Sequence, residues 1–179
     1  MNDEHDDGPV FKSADWARLR ELRECFLRAE QGAAINDPYW NDRHDFELYE
    51  ATFAQRIGWK WDAVLRELEL RNVLPHGAIV CDWGCGTGIA ARRYLASSAG
   101  EGVKRVYLAD RSKQVTLFAR EALRAERQGL DVVVHPPQDQ APDVLLVSHV
   151  RDELDEEGLG ILRGLIRRSG TVIWVEAGA

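Results

Sequence analysis

The chain has 179 residues, a formal net charge of −7 and 45% hydrophobic residues. This length suits one ordinary domain with a sizeable core, and no apolar run approaches the roughly 20 residues that span a bilayer. The negative charge argues against tight, non-specific nucleic-acid binding by the whole domain, while leaving room for a local basic patch. Three scattered cysteines give neither a disulfide framework nor a zinc spacing, so we expect a cytoplasmic protein.

The N-terminal third is predicted to be helical after a short leader. Residues 1–12 are mostly acidic or polar and do not read as a targeting peptide, so we expect disorder there. Helical spacing of apolar residues then predicts three helices, at residues 13–31, 45–57 and 59–71, with Gly58 as the break between the last two. In the loop before the second helix, Tyr39 and Trp40 are expected to be exposed. We interpret residues 13–74 as a helical extension that packs on the following domain or covers its ligand site.

From residue 75 onwards, strands and helices alternate. Apolar runs predict five strands, at about residues 78–82, 105–109, 132–134, 143–148 and 171–176. Ser112 is a candidate N-cap for the helix after the second strand. This alternation is typical of α/β domains whose mainly parallel sheet is covered by helices on both faces. We therefore predict a doubly wound domain at residues 75–179.

A glycine-rich turn follows the first predicted strand. Asp82 ends that strand, and glycines stand at positions 84, 86 and 88, just before the next helix. Glycine allows positive φ and leaves no Cβ between backbone and ligand, and the helix presents free N–H groups there. The pattern predicts a nucleotide cradle. The dinucleotide fingerprint would need glycine where Ile89 stands, and the Lys-Ser/Thr ending of a P-loop is absent.

The remaining pattern, Asp-x-Gly-x-Gly-x-Gly, resembles motif I of class I S-adenosylmethionine-dependent methyltransferases. The resemblance implies a Rossmann-like fold and S-adenosylmethionine as cofactor, without a metal. It further implies that the methionine part lies on the turn, oriented by Asp82 and bound by Gly84, Cys85, Gly86 and Gly88.

A second carboxylate, Asp110, ends the next predicted strand. One carboxylate can accept both hydroxyls of a ribose, so an acid at this strand end suits a ribosyl ligand. The resemblance places Arg111 or Ser112 in the adenosine pocket. Gln138 or Asp139, after the third strand, are candidates for the adenine amine, although two prolines obscure the alignment there.

A narrower resemblance comes from the fourth and fifth strands. Ser148-His149-Val150 with Glu153-Leu154 is similar to the fourth-strand motif of the methyltransferase-like small-ribosomal-subunit assembly family of mitochondria and bacteria. That family closes strand five with Val-Glu-Pro-Gly, where this sequence has Val-Glu-Ala-Gly at residues 175–178. The likeness spans about residues 45–179. It implies Ser148 as a cofactor contact and small-subunit ribosomal RNA or a ribosomal protein as partner.

Three features depart from that family. Arg151 stands in place of a leucine, and Ala177 in place of the proline. The C-terminal antiparallel strands and the family's cysteine-bearing tail also lie outside this sequence, so no iron–sulfur cluster is implied. We expect the edge of strand five to need a partner, further residues or the N-terminal helices as cover.

His149 is the candidate catalytic residue. It follows strand four, where the methyl end of the cofactor would face the acceptor, and it suits a base or a substrate-orienting group. The alternative is a loop histidine bound to backbone. Three functions stay open: a methyltransferase for ribosomal RNA or protein, a non-catalytic assembly factor that keeps the cofactor pocket, and a small-molecule methyltransferase. In the last, aromatic residues of the extension form a substrate lid: Tyr39, Trp40, Trp59 and Trp61.

Overall fold

The computed structural model describes residues 11–30, 40–151 and 154–176, so most of the predicted leader and the predicted helix stop at Gly32 lie outside the described residues. The helices are α1 (Ser13–Glu30), α2 (Arg43–Ala51), α3 (Phe53–Leu70), α4 (Ile89–Ala96), α5 (Lys113–Glu126) and α6 (Glu156–Arg168). The strands are β1 (Ile79–Trp83), β2 (Arg105–Ala109), β3 (Asp131–Val133), β4 (Val144–Ser148) and β5 (Thr171–Val175). In the described part of the chain, no helix is both long and apolar enough to cross a membrane.

The five strands form one parallel sheet in the order β3-β2-β1-β4-β5. Successive residues of the central strands face opposite sides: Val80 packs with α3, α4 and α5, whereas Cys81 packs with α6. Burial on both faces explains why β4 is a continuous apolar run rather than an alternating one, and why β1 is apolar apart from Asp82. The predicted doubly wound parallel sheet is therefore confirmed.

The topological switch point of the sheet, where the order of strand addition reverses, lies between β1 and β4. Strands β2 and β3 lie on one side of β1, while β4 and β5 lie on the other. In open α/β sheets, ligands bind in the crevice that forms at the carboxyl ends of the strands at such a point. The ends of β1, β2 and β4 are therefore the place to look for a site.

The helix break predicted at Gly58 is wrong. Helix α2 ends at Ala51 and α3 begins at Phe53, so the break is at Thr52, whose hydroxyl donates to the Leu48 carbonyl over 2.7 Å. Gly58 lies buried inside α3, where an added Cβ would stand 2.8 Å from Nη2 of Arg93. The glycine serves close packing of α3 on α4 rather than helix termination.

Trp40, which we expected to be exposed, is only 7% exposed. It packs edge-to-face with Phe46 and Tyr49, with ring centroids 5.3 and 5.2 Å apart. Val115 of α5 belongs to the same cluster, so it faces the N-terminal helices rather than the sheet. The cluster joins α1 and α2 to the first turn of α5.

Charged contacts reinforce this packing. Arg18 of α1 binds both carboxylate oxygens of Asp45 in α2, each over 2.8 Å. Arg92 of α4 reaches Glu50 of α2 and Glu126 of α5, each over 2.6 Å. Arg92 therefore ties the helical extension to two helices of the sheet domain.

Strand β5 is the outer strand on the β4 side. Within the described ranges it pairs only with β4, and Trp174 on it is 40% exposed. At the opposite side, residues 134–143 connect β3 to β4 without a helix. Arg168, at the end of α6, donates to the Pro137 and Gln138 carbonyls, and Arg105, at the start of β2, donates to Gln140. These contacts hold residues 137–140 near the amino edge of the sheet.

Candidate functional site

The glycine turn follows β1 directly and has left-handed backbone at alternate positions. Gly84 has a φ of +70°, and a Cβ there would stand 2.1 Å from Cγ1 of Val150. Gly86 has a φ of +49°, but a Cβ there would meet nothing within 4 Å. The missing Cβ of Gly84 therefore makes room for the Val150 side chain, whereas the missing Cβ of Gly86 leaves that backbone facing free space. Only Gly86 leaves room for a ligand against the main chain.

Asp110, at the end of β2, holds this turn. Its Oδ2 accepts from the Gly86 amide over 3.0 Å, and its Oδ1 accepts from the Ser112 amide over 2.9 Å. The Ala109 carbonyl accepts from the amides of Gly84 and Cys85, over 2.7 and 3.0 Å. Burial raises the pKa of Asp110, against the opposing effect of the Ser112 and Gly86 amides. The structure thus brings the two predicted site segments together.

Asp82 lies beneath the turn and is fully buried. Its Oδ2 accepts from the Ala91 amide of α4 over 3.0 Å, whereas its Oδ1 has no partner among the described residues. Burial raises the pKa of Asp82 to about 7, and the nearby Asp110 charge adds to this. The Thr87 hydroxyl in the turn is likewise buried without a described partner. A buried acceptor of this kind suits a positively charged or hydrogen-bond-donating ligand.

Two other predicted cofactor residues flank the turn. Cys85 is buried, and burial raises the pKa of its thiol well above the ordinary value, so it packs as a neutral side chain. Its backbone is engaged within the turn: the Cys85 carbonyl accepts from the Gly88 amide over 2.7 Å. Arg111 directly follows Asp110 and is exposed at the same edge.

The end of β4 carries Ser148 and His149. The Ser148 hydroxyl accepts from Nε1 of Trp61, a fully buried residue of α3, over 2.9 Å. His149 has a φ of +53°, which is uncommon for a residue other than glycine, and its amide donates to the Val175 carbonyl over 3.0 Å. Burial and the neighbouring Lys60 both lower the pKa of His149.

Sequence reasoning missed Lys60 and Glu176. The Lys60 ammonium lies 3.3 Å from Nε2 of His149. Oε1 of Glu176 accepts from the amides of Val150 and Arg151, each over 3.3 Å, and from Nε1 of Trp174 over 2.6 Å. The sequence does carry a signal for the contact between α3 and β4, because Trp61 falls on the apolar face of α3 and its buried indole N–H needs an acceptor. No sequence signal identified which acceptor.

Gln138 and Asp139 are not brought to this site. The Gln138 carbonyl accepts from Arg168 over 2.8 Å near the amino edge of the sheet, opposite the edge that carries Asp82 and Asp110. The hypothesis that either residue meets the adenine finds no support in this placement. The two prolines at 136 and 137 begin a connection that runs back across the sheet.

No protein-family model matches the sequence, and a search of curated proteins gives no match. Solved structures do share the fold. TnmH matches with a TM-score of 0.52 and 24% identity, over 86% of this chain and 47% of that chain. A SAM-dependent methyltransferase from Aquifex aeolicus matches with a TM-score of 0.51 and 22% identity, over 72% and 67%. An S-adenosylmethionine-dependent methyltransferase from Clostridium acetobutylicum matches with a TM-score of 0.50 and 13% identity, over 69% and 51%.

The chain therefore has the Rossmann-like fold of S-adenosylmethionine-dependent methyltransferases. It spans about half the length of TnmH and of the Clostridium protein.

Proposed function

We propose that this protein is an S-adenosylmethionine-dependent methyltransferase whose cofactor lies over residues 84–88. The observation that carries the proposal is the link from the Gly86 amide to the Asp110 carboxylate, beside backbone that faces open space. The carboxylate, which we infer to accept from the ribose, thus lies next to a Cβ-free turn at the carboxyl edge of the sheet. That combination fits a nucleoside with a flexible polar arm.

The residues present suit the charge of this cofactor. Asp110 accepts from the backbone amides of Gly86, Ser112 and Arg111, and a carboxylate has about four acceptor positions, so it can still accept from a ribose hydroxyl. Asp82 offers an unused buried carboxylate oxygen beneath the turn. When bound, S-adenosylmethionine supplies an activated methyl group on a cationic sulfur, and two neighbouring acids favour that charge.

The protein's own contribution to methyl transfer is alignment and exclusion of water. An in-line displacement needs the acceptor atom held close to the methyl carbon, and a dry pocket strengthens every polar contact there. The helical extension supplies walls on two sides: α2 packs on α5, and α3 packs on the end of β4. His149 occupies the end of β4 and is the candidate for orienting the acceptor.

Calorimetric titration tests the cofactor assignment directly. The parent protein is titrated with S-adenosylmethionine and with S-adenosylhomocysteine, and the titrations are repeated on Asp110→Ala and Asp82→Ala. We expect binding by the parent and at least tenfold weaker binding by both variants. Asp131→Ala, which removes an exposed carboxylate paired with Arg105, is the matched control and should bind as the parent does. A parent that binds neither compound contradicts the proposal.

The methyl acceptor belongs to one of two classes. The segments around Ser148 and Glu176 support the small ribosomal subunit, with its RNA or a protein as acceptor, or as docking partner of a non-catalytic assembly factor. The net charge of −7 supports a small molecule, because it opposes nucleic acid. The predicted aromatic lid loses support, because Trp40 and Trp61 are buried in the core and Tyr39 lies outside the described residues. Transfer of a radiolabelled methyl group to purified small subunits, set against transfer to small-molecule acceptors, distinguishes them.

Two further expectations belong to this proposal. The unpaired side of β5 suits an additional strand or a partner, because exposed strand edges are normally covered. The free buried thiols of Cys81 and Cys85 suit the cytoplasm. Deuterium exchange at the β5 amides, alone and with small subunits added, tests the first expectation.

A further inference from the structure

We propose that Lys60 and His149 form an anion-binding pair that recognises a carboxylate or phosphate group on a small methyl acceptor. The inference rests on the proposed methyltransferase function, because it names the class of acceptor for that site. It concerns residues on the β4 side of the crevice, separate from the glycine turn and Asp110.

The pair is held in place by its neighbours. Trp61, next to Lys60 in α3, is fully buried and donates to Ser148, next to His149 in the β4 loop. This bond fixes α3 against the end of β4 at the position where Nζ of Lys60 comes within 3.3 Å of Nε2 of His149. Lys60 itself is exposed, so its ammonium is accessible from solvent at the end of β4.

The chemistry of the two groups fixes which of them donates. An ammonium has three N–H donors and no acceptor, so Nε2 of His149 accepts from Lys60. The imidazole is then neutral with its proton on Nδ1, a tautomer assigned from this contact. The lowered pKa of His149, caused by burial and by Lys60, agrees with a neutral ring. Lys60 thus has two N–H donors left for a ligand, whereas the Nδ1–H of His149 is on the other side of the ring, so the role of His149 is to position the ammonium.

The charges around the pair leave it free to bind an anion. Lys60 forms no ion pair with any residue in the described ranges. Among the described carboxylates, only Glu176 affects the pKa of His149, and one of its oxygens is occupied by two backbone amides and Trp174. A cation without a partner, beside a neutral imidazole, is stabilised by an anionic oxygen group.

The backbone of His149 points to function as well. A positive φ in a residue other than glycine costs of the order of 1 kcal/mol and persists where the surroundings fix it, most often at ligand sites. Here the Val175 carbonyl fixes it through the His149 amide. One lysine suits a single anionic group rather than a polyanion, and the net charge of −7 opposes nucleic acid. A small acceptor is therefore favoured over RNA.

The test uses three probes of similar shape: benzoate, phenyl phosphate and uncharged benzyl alcohol. Each is titrated into the full chain with carbon-13-labelled histidine, with and without saturating S-adenosylhomocysteine, and the ring signal of His149 is followed. His149→Gln identifies that signal among the five histidines. We expect at least one anion to bind about tenfold more tightly than the alcohol and to shift the His149 signal. Preference between the two anions identifies carboxylate or phosphate as the group recognised.

Matched variants separate charge from packing. Lys60→Met removes the positive charge and should weaken anion binding about tenfold, whereas Lys60→Arg keeps the charge and should preserve binding. Both replacements keep an exposed side chain of similar length, so packing is matched. Lys104→Met, which removes another exposed lysine, should bind as the parent does. Equal binding of the alcohol, no anion binding, or unchanged anion binding in Lys60→Met would overturn the inference. Tighter, Lys60-dependent binding of a short RNA would overturn it in favour of nucleic acid. Absence of S-adenosylhomocysteine binding bears instead on the proposed function.

Discussion

The turn after β1 and the loop after β4 meet at one edge of the sheet but are built in different ways. The turn is held by backbone and side-chain groups of Ala109 and Asp110, on the adjacent strand. The loop depends on residues from distant parts of the chain, Trp61 in α3 and Glu176 after β5. The difference teaches that the proposed cofactor side is specified by a short motif, whereas the proposed acceptor side is specified by tertiary packing.

The two regions touch at Gly84 and Val150, and substitution there should have the largest effect. In Gly84→Ala the new Cβ would stand 2.1 Å from Cγ1 of Val150, at a φ of +70° that alanine adopts poorly. Overpacking and backbone strain together should lower the free energy of unfolding by about 3 kcal/mol or more. Urea denaturation measures this. A double variant Gly84→Ala with Val150→Ala should recover part of the loss, and no recovery would show that the two regions are independent.

On the turn side, the pKa of Asp82 is raised to about 7, so the free energy of unfolding should depend on pH through this residue. A carboxyl whose pKa rises on folding retains a proton that the unfolded chain has released, so its stabilising effect is present at low pH and is lost as pH rises from about 4 to 7. Without ligand, the parent should therefore lose about 2 kcal/mol more stability than Asp82→Asn between pH 5 and 8. Parallel pH profiles of the two proteins would contradict this.

The same group predicts how the cofactor binds. A cationic ligand favours the ionised form of Asp82, so affinity for S-adenosylmethionine should increase as pH rises through about 7, and the increase should be absent in Asp82→Asn. Calorimetry at several pH values measures it. S-adenosylhomocysteine, which lacks the sulfonium charge, should show a weaker dependence.

Gly86→Ala separates stability from binding within the turn. Its Cβ meets no protein atom within 4 Å, so only the φ of +49° opposes alanine, at about 1 to 2 kcal/mol. The same Cβ projects into the space assigned to the cofactor, so we expect binding to fall more than tenfold. Binding of S-adenosylhomocysteine with parental affinity would remove the cofactor from this part of the turn.

The smallest expected effect concerns the loop side. Ser148→Ala removes the acceptor of the Trp61 indole N–H, whereas Trp61→Phe removes the donor and also leaves a small cavity at a fully buried position, and each should cost about 1 to 2 kcal/mol. A double-mutant cycle should show coupling between them, measured by denaturant unfolding. Fully additive effects would mean that this bond does not position the loop. Trp59→Phe, at an exposed position of the same helix, is the control.

Much of the fold could be predicted because its signals are local. Apolar runs located all five strands to within two residues, and Ser112 was identified as an N-cap that accepts from the Val115 amide over 3.4 Å. Glycine misled the prediction at position 58, because the same residue type serves helix breaks and close packing alike. Trp40 was misplaced because burial of a loop aromatic depends on α1 and α5, which a local window does not contain.

The candidate site could likewise be predicted only in part. Asp82, the glycines and Asp110 stand at strand ends, and parallel strands bring their ends to one edge, so their meeting follows from the pattern. Lys60 and Glu176 follow no such rule, because Lys60 lies in α3 and Glu176 lies after β5, while the residues that both contact are in the loop after β4. Gln138 could not be placed because the connection from β3 has no regular structure, and its course is set by Arg168.

The strand order has a consequence for the sequence of events during folding. Val80 and Val144, which pair across the β1–β4 seam, are much further apart in the sequence than partners within β1–β2 or β4–β5. Closing a longer loop costs more entropy, so we expect the seam to form last during folding. The crevice straddles this seam, and its two sides would then exist as separate parallel strand pairs, β1–β2 and β4–β5, before either can hold a ligand. Pulse-labelling hydrogen exchange should show β1–β2 and β4–β5 amides protected earlier than those between β1 and β4.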